Sequence, residues 1–340
     1  MKLGLKLSLI ASSLFLATAP LSAHDGGVLP SSSPTSLSTT AVQTGQGDMT
    51  YTTVPGWGKV PGQNYIGSTH GGIVVDKKGL VYVSTDGPQG VIVYSEDGKF
   101  IKSLGKHTRK FHGLNINTEG ETEYIYAAAM GKVFKVQLDG KVVMTLDGAK
   151  QEGHKWDRAT AVAVAPNGDI FIADGYRSSI IFKYDSTGKF IKKIGTKGRK
   201  EGQFLTSHGL AIDNRNPEKP VLIVCDRENR RLQLFDLDGN FIKVAITGLR
   251  RPCAASIWGD YIVVAELQAR AVILDKDYKI VSKLGDNPNK KQWAGFRVKP
   301  ADWVSGIFTA PHGCAFDAKG NVYIQNWNAS GRVTKLVKNK

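Results

Sequence analysis

The chain of 340 residues is short of cysteine: it has three, Cys225, Cys253 and Cys314. So few thiols, and an odd number, exclude a disulfide-framed scaffold, and a packed apolar core must supply the stability. Beyond the first residues no apolar run approaches the roughly 18 residues of a spanning helix, so no transmembrane span is expected in the mature chain. No long stretch repeats its apolar residues at the 3.6-residue helical period, which argues against a helix bundle. Acidic groups are the scarcer charge, 30 against 45 Lys and Arg, for a net +15. The hydrophobic fraction of 41% suffices for a core and is too low for a multi-span membrane protein.

The first residues have a composition of their own. Lys2 and Lys6 flank the start of an apolar stretch, Leu7 to Leu16, and Leu21-Ser22-Ala23 forms a small-residue exit. This is the layout of a secretory signal peptide over residues 1–23, and it predicts a secreted or periplasmic protein. Its removal would lower the net charge by two. Residues 24–49, which include Ser31-Ser32-Ser33-Pro34-Thr35-Ser36, offer little to bury and read as a flexible leader. The folded domain is expected over residues 50–340.

That domain is repetitive. One phrase, a turn followed by an alternating run, reads Glu96-Asp97-Gly98-Lys99-Phe100-Ile101-Lys102. It returns at Leu138-Asp139-Gly140-Lys141-Val142, at Ser186-Thr187-Gly188-Lys189-Phe190-Ile191-Lys192 and at Leu237-Asp238-Gly239-Asn240-Phe241-Ile242-Lys243. A degenerate copy is Lys276-Asp277-Tyr278-Lys279-Ile280. Asp-Gly between alternating apolar runs is a hairpin signal, because glycine supplies the positive φ of the turn. A second phrase is a β-rich run: Val81-Tyr82-Val83-Ser84, Ile170-Phe171-Ile172-Ala173-Asp174, Leu222-Ile223-Val224-Cys225-Asp226 and Val322-Tyr323-Ile324-Gln325. Repeats of roughly 40 to 50 residues with several short strands each are what propeller blades require. Six starts fall near residues 71, 112, 160, 208, 253 and 312. The expected fold is all-β, a six-bladed β-propeller. Its last repeat is one strand short, and Thr50–Val54 are expected to supply that outer strand and close the ring.

One register of the six starts holds Gly71, His112, Thr160, His208, Cys253 and His312. The histidines fall in blades two, four and six. Alternate blades of a six-bladed ring are related by about 120° and their first strands line the channel, so the three imidazoles should meet on the axis as a tripod. Three histidines with an open position are an arrangement of catalytic zinc. Each is followed by a glycine, Gly113, Gly209 or Gly313, which permits close approach of a neighbouring backbone. His70, one residue out of register, is an outer candidate. The loops after the second strands share the histidine face. They carry Asp174-Gly175-Tyr176-Arg177 and Asp226-Arg227-Glu228-Asn229. Tyr176 is a candidate acid or base, and Arg227 a candidate two-pronged carboxylate holder. Arg109, Arg158 and Arg251 precede inner strands. Asp226 is expected to pair with Arg230 or Arg231 and fix its turn.

At these residues the sequence resembles the peptidyl-α-hydroxyglycine α-amidating lyase family, a six-bladed propeller of NHL-type repeats. The likeness is carried by residues 159–176, by Asp226-Arg227-Glu228-Asn229 with Arg231-Leu232-Gln233, and by Ala310-Pro311-His312-Gly313. The resemblance implies zinc ligands at His112, His208 and His312, the catalytic tyrosine at Tyr176 and the active-site arginine at Arg227. It also implies cleavage of a peptidyl-α-hydroxyglycine to a peptide amide and glyoxylate. The sequence departs from the family in having no counterpart to the disulfides of the animal enzymes, and at three further places. The first-blade loop, Ser84-Thr85-Asp86-Gly87, lacks the family's arginine. Gly313 stands where an aspartate helps hold calcium, so calcium is not expected. Ala310 replaces a methionine.

The alternative is a non-catalytic NHL propeller that presents a basic face to an anionic envelope component or peptide. Lys99, Lys102, Lys189, Lys192 and Lys193 lie in the outer-strand repeats, where lysine also blocks edge pairing. The signal peptide argues against nucleic acid as a partner. No acidic and amide cluster occupies the channel register, as a lactonase-like calcium propeller would need. The partners this reading predicts are a small carboxylated or peptide substrate and an anionic envelope component.

Overall fold

A computed structural model describes residues 40–340. The expected signal peptide, and the expected leader as far as residue 39, lie outside the described residues. Six antiparallel sheets follow one another along the chain, each a meander of consecutive strands. Blade one is built from Ile73–Val75, Val81–Ser84, Val91–Tyr94 and Phe100–Ser103. Blade two has Phe111–Glu119, Thr122–Ala129, Lys132–Gln137 and Val142–Asp147. Blade three has Ala161–Val164, Ile170–Asp174, Ile180–Tyr184 and Phe190–Ile194. Blade four has Ser207–Asp213, Val221–Asp226, Arg231–Asp236 and Phe241–Thr247. Blade five has Pro252–Trp258, Tyr261–Glu266, Arg270–Leu274 and Ile280–Leu284. Blade six contributes Pro311–Phe316, Val322–Asn326 and Arg332–Lys338. The helical segments among the described residues are short 3₁₀ turns.

The first strand of each blade packs against the first strands of its two neighbours, and that of blade six against that of blade one. Six inner strands therefore ring the axis. The second and third strands are almost wholly buried because side chains on both faces pack against adjacent blades. This gives an apolar cluster at each blade interface, such as Ala163, Phe171, Leu222 and Phe235 between blades three and four. Burial of each such aliphatic or aromatic side chain stabilises by about 1.5–3 kcal/mol. The outer strands alternate, as one-sided strands do: Ile101, Ile191 and Ile242 are exposed, and so are Lys99, Lys189, Lys192 and Lys193.

The Asp-Gly phrase forms the hairpin between third and outer strands. Gly98, Gly140, Gly188 and Gly239 have φ of 86°, 102°, 87° and 85°. In the degenerate copy Tyr278 holds φ 63° without being glycine, and its hydroxyl donates to Asp213 at 2.8 Å. That hydrogen bond anchors the turn from the side.

The sixth sheet carries two more strands at its outer edge. Met49–Thr53 lies antiparallel to Arg332–Lys338, with Tyr51 opposite Lys338. Gln43–Gln46 hairpins back on Met49–Thr53. The reading of residues 24–49 as a leader is therefore corrected at its C-terminal end. Gln43-Thr44-Gly45-Gln46 is polar and escaped notice because hydrogen bonds, not apolar burial, hold it. Gln46 N donates to Ser282 Oγ at 2.9 Å, and Gly285 N to Thr44 Oγ1 at 2.9 Å.

Candidate metal centre

Each site histidine begins an inner strand at an irregularity. In blade two the pairing of Phe111 with Ala129 and of Gly113 with Ala128 skips His112. The same shift occurs between Ser207 and Gly209 and between Pro311 and Gly313. An extra residue of this kind re-aims its side chain, here toward the axis. The ring centroids of His112 and His208 lie 5.0 Å apart, of His112 and His312 4.9 Å, and of His208 and His312 4.6 Å. One nitrogen from each lies within 4.8 Å of the others, and all three residues are buried.

The glycine after each histidine is required by its neighbour. A Cβ on Gly113 would lie 2.7 Å from Thr160 O, on Gly209 2.3 Å from Cys253 O, and on Gly313 1.6 Å from Gly71 O. These carbonyls belong to the same register in the next blade, and two of them also receive the imidazoles. His112 Nδ1 lies 2.8 Å from Thr160 O, and His208 Nδ1 2.9 Å from Cys253 O. A carbonyl only accepts, so each Nδ1 carries the proton and each Nε2 presents a lone pair.

The entering loops are clamped by the residue that ends the second strand. Asp226 accepts from Leu205 N at 2.8 Å, Asp174 from Arg158 N at 2.8 Å, and Asn326 from Ala310 N at 3.1 Å. Glu266 accepts from Arg250 N in the same way. The expected pairing of Asp226 is made to Arg231, 2.7 Å away. Burial raises the pKa of Asp226, with Asn229, Leu205 N and Arg231 opposing.

Tyr176 and Arg227 reach the centre from blades three and four. The Tyr176 hydroxyl is 3.0 Å from His112 Nε2 and 3.0 Å from His208 Nε2. Arg227 Nη1 donates to that hydroxyl at 3.3 Å, and Arg227 Nε to Glu228 at 2.9 Å. Glu228 also accepts from Arg251, so one carboxylate faces two guanidinium groups and the loop keeps excess positive charge. Of the other candidates, Arg177 pairs with Asp157. Arg109 is exposed, and among the described residues no ion pair joins it or Arg158 to the centre. His70 Nδ1 lies 2.8 Å from the Asp86 carboxylate, and its ring is 5.9 Å from that of His112. Glu228 and Asp86 were not singled out as site residues. Their neighbours Arg227 and His70 were the available signals.

Burial sets the protonation states. Desolvation lowers the His112 pKa to about 3, with His70 and Arg227 adding to it. His208 and His312 are also held well below the usual value, by burial first and then by Arg227 and by His208 respectively. Burial raises Tyr176 while Arg227 pulls the other way. Burial pushes Cys253 to about 11. All three cysteines are buried free thiols.

This donor set fits a metal ion. Three neutral imidazoles converge, two have their tautomer fixed by a carbonyl behind them, and one phenol proton serves two acceptors at equal distance. Carbonyl-oriented histidine with a lone pair facing inward is how proteins present imidazole to zinc and similar ions.

Fold and site together define a six-bladed β-propeller with a three-histidine centre on its axis. A family model described as "6-bladed beta-propeller" matches residues 161–254. The mouse peptidyl-glycine alpha-amidating monooxygenase is 33% identical over 159 residues, 44% of this chain and 16% of that protein. Peptidyl-alpha-hydroxyglycine alpha-amidating lyase 1 of Drosophila melanogaster is 36% identical over 36% of this chain and 25% of its own length. A probable lyase of the same kind from Caenorhabditis elegans is 34% identical over 43% and 42%. The matches thus span less than half of these relatives, and the resemblance to amidating lyases holds over that part. Among solved structures, a gluconolactonase of Xanthomonas campestris superposes with a TM-score of 0.61 at 12% identity, covering 92% of this chain and 99% of that one. A streptogramin B lyase superposes at 0.55 and 13%, covering 81% and 95%. Likeness at such identity shows the fold alone.

Proposed function

We propose that the chain is a secreted or periplasmic metal-dependent lyase. In this reading it cleaves a peptidyl-α-hydroxyglycine to peptide amide and glyoxylate, with zinc on His112, His208 and His312. The observation that carries the reading is the meeting of three buried, neutral histidines with the Tyr176 hydroxyl and the Arg227 guanidinium in one cluster. The location rests on the signal-peptide pattern of residues 1–23.

A divalent metal, when bound, supplies Lewis acidity toward a substrate oxygen. The rest is work for the chain. Arg227 donates to Tyr176 and Glu228, and its five-donor fork suits the substrate carboxylate. Held there, the carboxylate places the adjacent carbinol carbon toward the histidines. The reaction moves one proton from the carbinol oxygen to the departing nitrogen. The O–H electrons become the new carbonyl bond and the C–N pair leaves with nitrogen. Tyr176 is the group placed to relay that proton. Its raised pKa keeps the phenol protonated, ready to donate to nitrogen. Burial of the cluster keeps bulk water from competing.

The test pairs elemental analysis with a glyoxylate-release assay. Purified protein should carry about one transition metal per chain and release glyoxylate from an α-hydroxyglycine peptide. The triple variant lacking all three histidines should do neither. Metal binding without glyoxylate release would leave the centre and remove the substrate. The exposed lysines of the outer strands favour a second role, contact with an anionic envelope component, whose loss at high salt would be the readout.

A further inference from the structure

A second cationic site lies away from the metal centre. The start of the third strand of blade six, Arg332, pairs with Asn326, which pairs with Pro311 beside His312. Arg332 is therefore on the histidine face, two strand spacings farther out, roughly 10 Å. There a cleft opens between residues 53–66 and residues 300–306 and 331–334, lined by Trp57, Lys59, Tyr65, Trp303 and Arg332.

Three features of this cleft point to a ligand. First, its lining contains two cations and no acid. Arg332 makes no ion pair among the described residues; its guanidinium donates only to backbone, Ile307 O and Val304 O, both at 2.9 Å. Burial lowers its pKa to about 10, with no acidic neighbour to offset this. The arginines that this fold buries each have a carboxylate, Arg231 with Asp226, Arg270 with Glu266 and Arg227 with Glu228, whereas the half-buried Arg332 has none among the described residues. Second, the guanidinium lies over the Trp303 ring at 5.3 Å, and Tyr65 meets the same ring edge-on at 5.8 Å. An aromatic wall beside a cation recognises an anion that carries apolar surface. Third, Trp303 Nε1 is buried without a hydrogen-bond acceptor among the described residues. An unsatisfied buried donor costs about 1–3 kcal/mol, and a shift of the Trp303 ring as the cleft fills would let an acceptor recover it.

We propose that this cleft binds an organic carboxylate with an attached apolar group, the carboxylate on Arg332 and Lys59 and the apolar part against Trp303 and Tyr65. The site is independent of the metal centre, so the proposal stands whether or not the lyase reading does.

The test uses N-acetyl-phenylalanine and its uncharged amide in calorimetric titrations of the full chain. They are run in an Arg227→Gln background so that a carboxylate at the metal centre does not count. The acid should bind at least tenfold more tightly than the amide, and adding Arg332→Gln should erase the difference. Lys59→Gln should weaken the acid about two- to fivefold. A second readout needs no change at Arg332: the Trp303 indole N–H resonance, assigned with Trp303→Phe, should shift with the acid and not with the amide. Equal binding of acid and amide, a preference that survives Arg332→Gln, or a Trp303 resonance unmoved by the acid would each overturn the proposal.

Discussion

Blades two, four and six offer a side chain to the axis, and blades one, three and five offer a backbone. In the shared register the first set has His112, His208 and His312, each followed by glycine. The second has Gly71, Thr160 and Cys253, whose carbonyls meet the histidine-glycine pairs of the preceding blade. The candidate metal centre is thus made twice over. Three residues offer imidazoles, and three unlike residues set the depth at which the inner strands pack, two of them, Thr160 and Cys253, also fixing a tautomer. What matters at Thr160 and Cys253 is the peptide oxygen, so residue type is free there, whereas Gly71, at φ 98° with a Cβ that would lie 2.6 Å from His312 Nδ1, is held to glycine. In the first set neither the imidazole nor the following glycine can be exchanged.

The largest expected effect separates the two sets outright. His208→Ala should reduce bound metal from about one per chain to near zero and glyoxylate release by at least about 1,000-fold. Thermal unfolding of the metal-free protein should change little. Retention of metal by this variant would break the comparison. Next comes the packing of the glycines. Gly313→Ala puts a Cβ 1.6 Å from Gly71 O, and the shift needed should cost about 1–3 kcal/mol, measurable by denaturant unfolding. The same contact explains why Gly313 cannot carry the calcium-holding aspartate of the amidating lyases with the strands packed as here.

The protonation states sharpen the contrast, because within the shared register only the histidines titrate in the acidic range. The His112 pKa falls from its ordinary value near 6.5 to about 3 on folding, and His208 and His312 move the same way. Below pH 6.5 the unfolded chain takes up protons that the buried rings refuse. The unfolded state then binds more protons, so metal-free stability should fall as pH drops from 6.5 toward 3 and stay level above 6.5. The slope should reach about 1.4 kcal/mol per pH unit for each histidine, and unfolding at pH 5 and 7.5 would measure it. A triple histidine-to-glutamine variant should flatten it.

The smallest effects belong to the carbonyl blades. Thr160→Val removes a hydroxyl that donates to Ser207 O at 2.9 Å and should cost about 1 kcal/mol. It keeps the peptide oxygen, so metal content should not change. Cys253→Ala should likewise leave metal affinity within about twofold by competition titration. A large loss would make the Cys253 thiol part of the site.

Much of this was legible in advance because repetition exposes a register. Five copies of the turn and four of the strand, aligned on six blade starts, put His112, His208 and His312 in one column and left Tyr176 and Arg227 in loops facing them. The strand Gln43–Gln46 was not legible, since a polar edge strand has no apolar alternation to reveal it. Nor was the Arg332 cleft, whose walls come from segments more than 200 residues apart in sequence.

The sequence by itself determined the all-β repeat, the number of blades and the identity of the three imidazoles, because strand period and turn chemistry are local properties. The tertiary structure decided which nitrogen of His112 and of His208 faces inward, which carbonyl each ring leans on, and that the half-buried Arg332 lacks an acid's company. Those outcomes depend on how one blade seats against the next, and that seating is set by backbone atoms that every residue shares.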